Sequence, residues 1–112
     1  MSAHIETRLW IAQRASAALL ALCVAVHLAT IIVAVRGGLT AADILGRTRG
    51  SIGWAAFYCL FVLAVSIHAP LGLRTIAAEW LSWRSRVADA ACALFGVALL
   101  LLGACAIVAV AR

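Results

Sequence analysis

Two histidines, His27 and His68, lie deep inside long uncharged runs of an otherwise hydrocarbon-rich chain. An ionisable side chain at such depth is costly and calls for a reason. Neutral imidazole is also among the commonest metal ligands. The chemistry first in view is therefore axial nitrogen ligation in a dry pocket.

At about 100° per residue, His68, Gly72, Thr75 and Glu79 fall on one stripe of a helix, with Phe57, Phe61 and Ala64 continuing it. Glycine four residues after histidine leaves a flat notch beside the imidazole. A haem needs an axial nitrogen, room for its macrocycle and apolar walls, and aromatic residues on the stripe would line them. The same arithmetic places Ser16, Leu20, Cys23, His27 and Thr30 on one face of an earlier helix. Arg14 lies off that face but is long enough to reach the same cavity at the membrane edge. The competing reading is that each histidine hydrogen-bonds a neighbouring helix, and that Arg74 is a snorkelling anchor.

The two imidazoles are not placed for one iron. His27 lies ~20 Å inward from Arg14, and His68 only ~9 Å inward from Arg74. Arg14 and Arg74 mark the same membrane face, because the chain crosses twice between them. The heights therefore differ by about 10 Å, whereas two ligands of one haem iron share a height.

The elements that must position these residues are legible. The runs Ala15–Val35, Ile52–Leu73 and Ala90–Ala111 contain no Asp, Glu, Lys or Arg. They span 21, 22 and 22 residues, against the roughly 20 that cross ~30 Å of hydrocarbon. The fold class is all-α, with three transmembrane helices over about residues 9–35, 52–81 and 87–110, forming a single domain over 1–112. The first run exceeds the roughly 7–15 residues of a signal-peptide core and is read as a retained helix. Residues 1–8 read as a polar interfacial lead-in. Thr40 and Asp43 approximate a capping box, predicting a short surface helix to about Leu45, stopped by Gly46. Pro70 predicts a kink beside His68, with the carbonyl of Ser66 freed. Ala88, Cys92, Gly96 and Gly103 form a small-residue row that lets helices approach closely.

Composition excludes other classes. The chain has 112 residues, 67% hydrophobic and 12% charged, too few polar groups to solvate a globule. The net charge is +5 and all nine cations are arginines. They sit at the ends of apolar runs, where headgroups explain them, so no nucleic acid is expected. Cys23, Cys59, Cys92 and Cys105 match no zinc or redox spacing and read as small packing residues. Five arginines on one side against four on the other leave orientation open under the positive-inside rule.

The segment His68-Ala-Pro-Leu-Gly72-Leu-Arg74-Thr-Ile-Ala-Ala-Glu79 resembles the His-x3-Gly-x-Arg-x4-acidic signature of the cytochrome b membrane-anchor subunit of succinate dehydrogenase and fumarate reductase. Upstream, Gln13-Arg14-Ala15-Ser16-Ala17 resembles that subunit's His-Arg-x-Ser/Thr-Gly entry to its first helix, departing from it at Gln13 and Ala17. The resemblance covers nearly the whole chain and includes the count of three helices. It implies that His68 is a haem b axial ligand, that Arg74 sits near a haem propionate or the quinone pocket, and that Arg14 faces the quinone with Ser16 nearby. The serine that members often carry before this arginine is absent, with Trp10 and Ile11 in that region.

His27 resembles the first-helix histidine of the di-haem branch, 11 residues after a Ser/Thr as it is after Ser16. One or two haems per assembly follow, the second pair of ligands coming from a homodimer or a sister subunit. The resemblance further implies flavoprotein and iron–sulfur partner subunits, ubiquinone or menaquinone as substrate, a bacterial inner-membrane location and a cytoplasmic N-terminus. The chain itself would be a non-catalytic electron-transfer subunit among membrane lipids. The alternative is a haem-free small membrane protein, a transporter or an assembly partner. A proton-coupled transporter would usually place a carboxylate within a span, and these runs contain none.

Overall fold

A computed structural model of the chain describes residues 2–112. Four helices follow in order: α1 (Ala3–Arg36), α2 (Ala41–Thr48), α3 (Ile52–Trp80) and α4 (Arg86–Ala111). Three of them, α1, α3 and α4, are long and apolar enough to cross a membrane. At 34, 29 and 26 residues they run to roughly 51, 44 and 39 Å. Each therefore outreaches the ~30 Å hydrocarbon layer, and the ends project into the headgroups.

The first helix begins earlier than the sequence pattern predicts. Residues expected as a polar lead-in are helical from Ala3, because the Ser2 hydroxyl accepts the Ile5 N–H at 3.3 Å and Glu6 lies in the first turn. A capped end with a carboxylate near the positive pole of the helix dipole favours continuation. Met1 lies outside the described residues. The end of α1 is as expected, with Gly37 as cap and Gly38 turning the chain at φ +64.

The short helix α2 does open on a capping box. Asp43 N–H donates to the Thr40 hydroxyl, while the Asp43 carboxylate accepts from the Thr40 N–H at 2.9 Å. The Thr40 N–H, then the Thr40 hydroxyl, hold the Asp43 carboxyl below the usual carboxylate range. This support is present above the ordinary carboxylate pKa and is lost as pH falls through the lowered one. Gly46 does not stop the helix, which continues to Thr48. A helical glycine costs only about 1 kcal/mol, and the stop comes at Gly50, whose φ is +69. There Thr48 Oγ donates to the Val110 carbonyl at 2.6 Å, and the Gly50 N–H donates to that of Ala111 at 3.0 Å. Two of the otherwise unsatisfied carbonyls at the end of α4 are thereby met.

The middle helix of the layer is α3, packed on α1 along one side and on α4 along the other. Apart from Leu20, the core is made of small residues: Ser16 and Cys23 on α1, Ala64 and Ala77 on α3, and Ala88, Cys92 and Gly96 on α4. The expected small-residue row of α4 faces α3. A Cβ on Gly96 would come within 2.8 Å of Pro70 Cγ and 3.1 Å of the Ser66 carbonyl oxygen. A Cβ on Gly103 would come within 2.5 Å of Val62 Cγ1. The notch at Gly96 thus receives the proline ring together with the carbonyl that the proline leaves without its helical donor. Of the four free cysteines, Cys23 and Cys92 pack between helices, while Cys59 and Cys105 lie on the outer surface. Large apolar residues such as Leu22, Val33, Leu94 and Leu102 are exposed, as expected of a surface solvated by lipid or partner helices.

Gly96→Val and Gly103→Val should each lower stability by about 1–3 kcal/mol through overpacking. Thermal unfolding of the detergent-solubilised protein will read this as a reduced midpoint. Leu102→Ala, on the outward face, should leave the midpoint unchanged.

Candidate functional site

The polar residues of α1 and α3 meet at the membrane face that carries the start of α1, the end of α3 and the start of α4. A cavity of about 630 Å³ opens there, within the ~300–1,000 Å³ range of small-molecule and cofactor sites. Its walls include Gln13 and Arg14 from α1 and His68, Gly72, Thr75 and Glu79 from α3. The helical stripe read from the sequence is therefore real. Arg74 reaches the same wall from α3. Arg14 is exposed, its guanidinium 5.5 Å from the centroid of the Trp10 ring one turn earlier.

Gly72 allows the close approach of α1. A Cβ there would lie 3.3 Å from Gln13 Nε2. The room beside it is thus shared between the cavity and the Gln13 amide, and is not an entirely open notch. The Gln13 amide oxygen is buried with no hydrogen-bond partner among the described residues. Ser16 is brought near but not into the cavity. It is buried on α1, its hydroxyl donating to the Gln13 carbonyl at 3.1 Å.

His27 stands apart. Its ring meets Phe61 edge-on at 5.5 Å between centroids and Tyr58 at 6.1 Å. These residues precede His68 by seven and ten positions on α3, which is about 10–15 Å along the helix. The two imidazoles thus occupy different levels of the membrane. His27 lines a second, apolar cavity of about 310 Å³ toward the opposite face, with Thr30, Arg47, Trp54 and Tyr58. The aromatic residues expected to wall the His68 cavity do not do so. Phe57 and Phe61 belong to a ring cluster with Trp54 and Tyr58 beside His27. A stripe on a long helix runs through several levels, and only the rings near His27 find a partner there.

The donor set bears on what these cavities can hold. Among the described residues no three His, Cys, Asp or Glu side chains converge on a metal position. A bare ion would lack ligands, whereas a porphyrin carries its own four nitrogens and needs only axial ones. Nδ1 of His68 and Nδ1 of His27 are both buried without a hydrogen-bond partner among the described residues. An unsatisfied buried group costs about 1–3 kcal/mol. Neither Nδ1 hydrogen-bonds a neighbouring helix among the described residues. An imidazole on the wall of a large, mainly apolar cavity with two arginines at its rim fits haem ligation through His68.

A family model described as succinate dehydrogenase/fumarate reductase transmembrane subunit matches residues 1–106. The chain belongs to this family. It is a multi-pass membrane protein, and its family is that of the membrane subunit of these complexes. No curated protein and no solved structure gives a significant match.

Two site residues escape the sequence reading. Arg74 donates through Nε to Asp89 Oδ1 at 2.9 Å, and its Nη2 lies 3.6 Å from Glu6 Oε1. Glu6 and Asp89 belong to the first turns of α1 and α4, distant from Arg74 in sequence. No motif spacing announces them. The only signal was their position: carboxylates at the ends of spans on the same face as an arginine.

Gly72→Leu should fill the space between Gln13 and His68. Helix content by circular dichroism should stay unchanged, while haemin titration of the solubilised protein should show binding weakened about tenfold or more.

Proposed function

We propose that the chain is the cytochrome b anchor of a succinate dehydrogenase or fumarate reductase type complex. It carries electrons between an iron–sulfur and flavoprotein pair and membrane quinone. The observation that carries this reading is the gathering of Gln13, Arg14, His68, Gly72 and Arg74 around one cavity at one membrane face, in a chain of this family. His68 serves as an axial ligand of haem b. Gly72 gives the macrocycle room, and Arg74 offers its charge to the propionates or to the quinone. A bound haem supplies a one-electron carrier beside the quinone.

Arg14 binds a quinone oxygen and stabilises its reduced, charged forms. Its exposed guanidinium, resting on Trp10 at the cavity rim, supports this role. Gln13 brings an amide oxygen that has no partner among the described residues and, as an acceptor, suits the hydroxyl of a reduced ring. Ser16 acts through Gln13, whose backbone carbonyl it engages. The dicarboxylate chemistry takes place on the flavoprotein subunit. The cavity face is the cytoplasmic one, so the N-terminus is cytoplasmic in a bacterial inner membrane.

His27 ligates a second haem at the other level. With one histidine at each level, a second copy or a sister subunit would supply the further ligands. Support comes from the separation of the two histidines into two cavities and from their unsatisfied Nδ1 atoms.

Reduced-minus-oxidised spectra of membranes carrying the complex should show a b-type band that His68→Ala diminishes. Absence of any such band would favour a haem-free membrane protein. Arg14→Ala should keep the band and lose quinone reduction, and intact quinone turnover would reject its role. Haem quantification should fall in His27→Ala, and an unchanged single haem would leave a one-haem anchor.

A further inference from the structure

Arg74 is the point at which all three spanning helices are tied together. It projects from α3 six residues before the helix ends, and it pairs with Asp89 on α4 and Glu6 on α1. The two outer helices each pack on α3, so this cation links them through the helix between them. Glu6 and Asp89 lie in first turns, where the helix dipole favours a carboxylate. The guanidinium is a planar fork whose donors point in fixed directions. A carboxylate on Nε therefore sets the plane of the whole group.

That plane matters because of where it stands. A third, polar cavity of about 490 Å³ lies next to the one that holds His68. Glu6, Arg74, Thr75 and Glu79 line both, so the Arg74 side chain forms part of the wall between them. Asp89 lines the polar cavity and not the one that holds His68. It thus holds Arg74 from outside the ligand cavity.

We infer that Asp89 and Glu6 are positioning residues for Arg74, fixing its guanidinium on the wall of the ligand cavity from two other helices. This rests on the proposed haem and quinone function. The pair also sets the charge of the site. Two carboxylates beside Arg74 offset its positive charge, whereas Arg14 has no carboxylate partner among the described residues. Arg14 accordingly presents the less compensated charge to a ligand, and Arg74 the better fixed geometry.

The test uses the assembled complex with Asp89→Asn, Asp89→Glu, Glu6→Gln and Arg74→Gln. Haem content is measured first, then the haem midpoint potential, then quinone KM and kcat. Asp89→Asn should assemble with full haem content, raise the quinone KM about fivefold and change kcat less than about twofold. Asp89→Glu should restore KM, and Glu6→Gln should shift it in the same direction as Asp89→Asn but less. The midpoint potential should rise in Asp89→Asn, which removes a negative charge, and fall in Arg74→Gln, which removes a positive one. A purely structural role predicts no such opposition of sign. Unchanged KM and potential in Asp89→Asn, or an Asp89→Glu variant as impaired as Asp89→Asn, would overturn the inference while leaving the function intact. An unsubstituted complex lacking both haem and quinone turnover would overturn the function and the inference together.

Discussion

Hydrocarbon offers no hydrogen-bond partner to a backbone amide, and this constraint shapes the whole chain. It forces each apolar run into a helix that satisfies itself. It also makes every break in a helix something the neighbouring elements must answer. Pro70 leaves the Ser66 carbonyl without its helical donor, and that carbonyl and the proline ring are received by the bare backbone of Gly96. The end of α4 exposes carbonyls, and Thr48 and Gly50 donate to two of them. The small residues of α4 bring α3 and α4 together closely enough for Pro70 to sit against Gly96 beside His68.

The placement of α3 between α1 and α4 has a consequence for function. A middle helix can offer polar residues to both sides, and α3 carries His68, Gly72 and Arg74 within two turns. It presents His68 and Gly72 toward Gln13 of α1 while Arg74 reaches Asp89 of α4. One membrane face thereby gathers most of the charge, and the cavity lies directly inward of it. The opposite end gathers aromatic rings around His27 and is apolar apart from Arg47 and a few hydroxyls. The two ends suit different tasks: charge-assisted contact with an oxygenated ligand at one, and a dry environment for imidazole at the other.

Much of this was legible before the structure. Three spans, the Thr40–Asp43 box, the α4 row and the shared stripe of His68, Gly72, Thr75 and Glu79 all follow from periods and end signals within single helices. The difference in height between His27 and His68 was also legible, because rise per residue is constant and both arginines mark one face. The errors have local causes. The helix began at Ala3 because a serine cap outweighed a polar composition, and it passed Gly46 because glycine weakens a helix without obliging it to stop. Phe61 packs on His27, and Phe57 on the rings beside it, because angular position on a helix says nothing about level.

The sequence by itself determined which segments span, which face of each helix is polar, and to which family the chain is similar. These properties depend on the solvent and on neighbours three or four residues away, and a linear pattern records both. The tertiary structure alone decided which side chains from different helices meet. Gln13 against Gly72, the carboxylates of Glu6 and Asp89 on Arg74, and the separation of the histidines into two cavities depend on helix order and rotation. Those are set by packing of small residues between helices, a property of pairs of surfaces that no single segment carries.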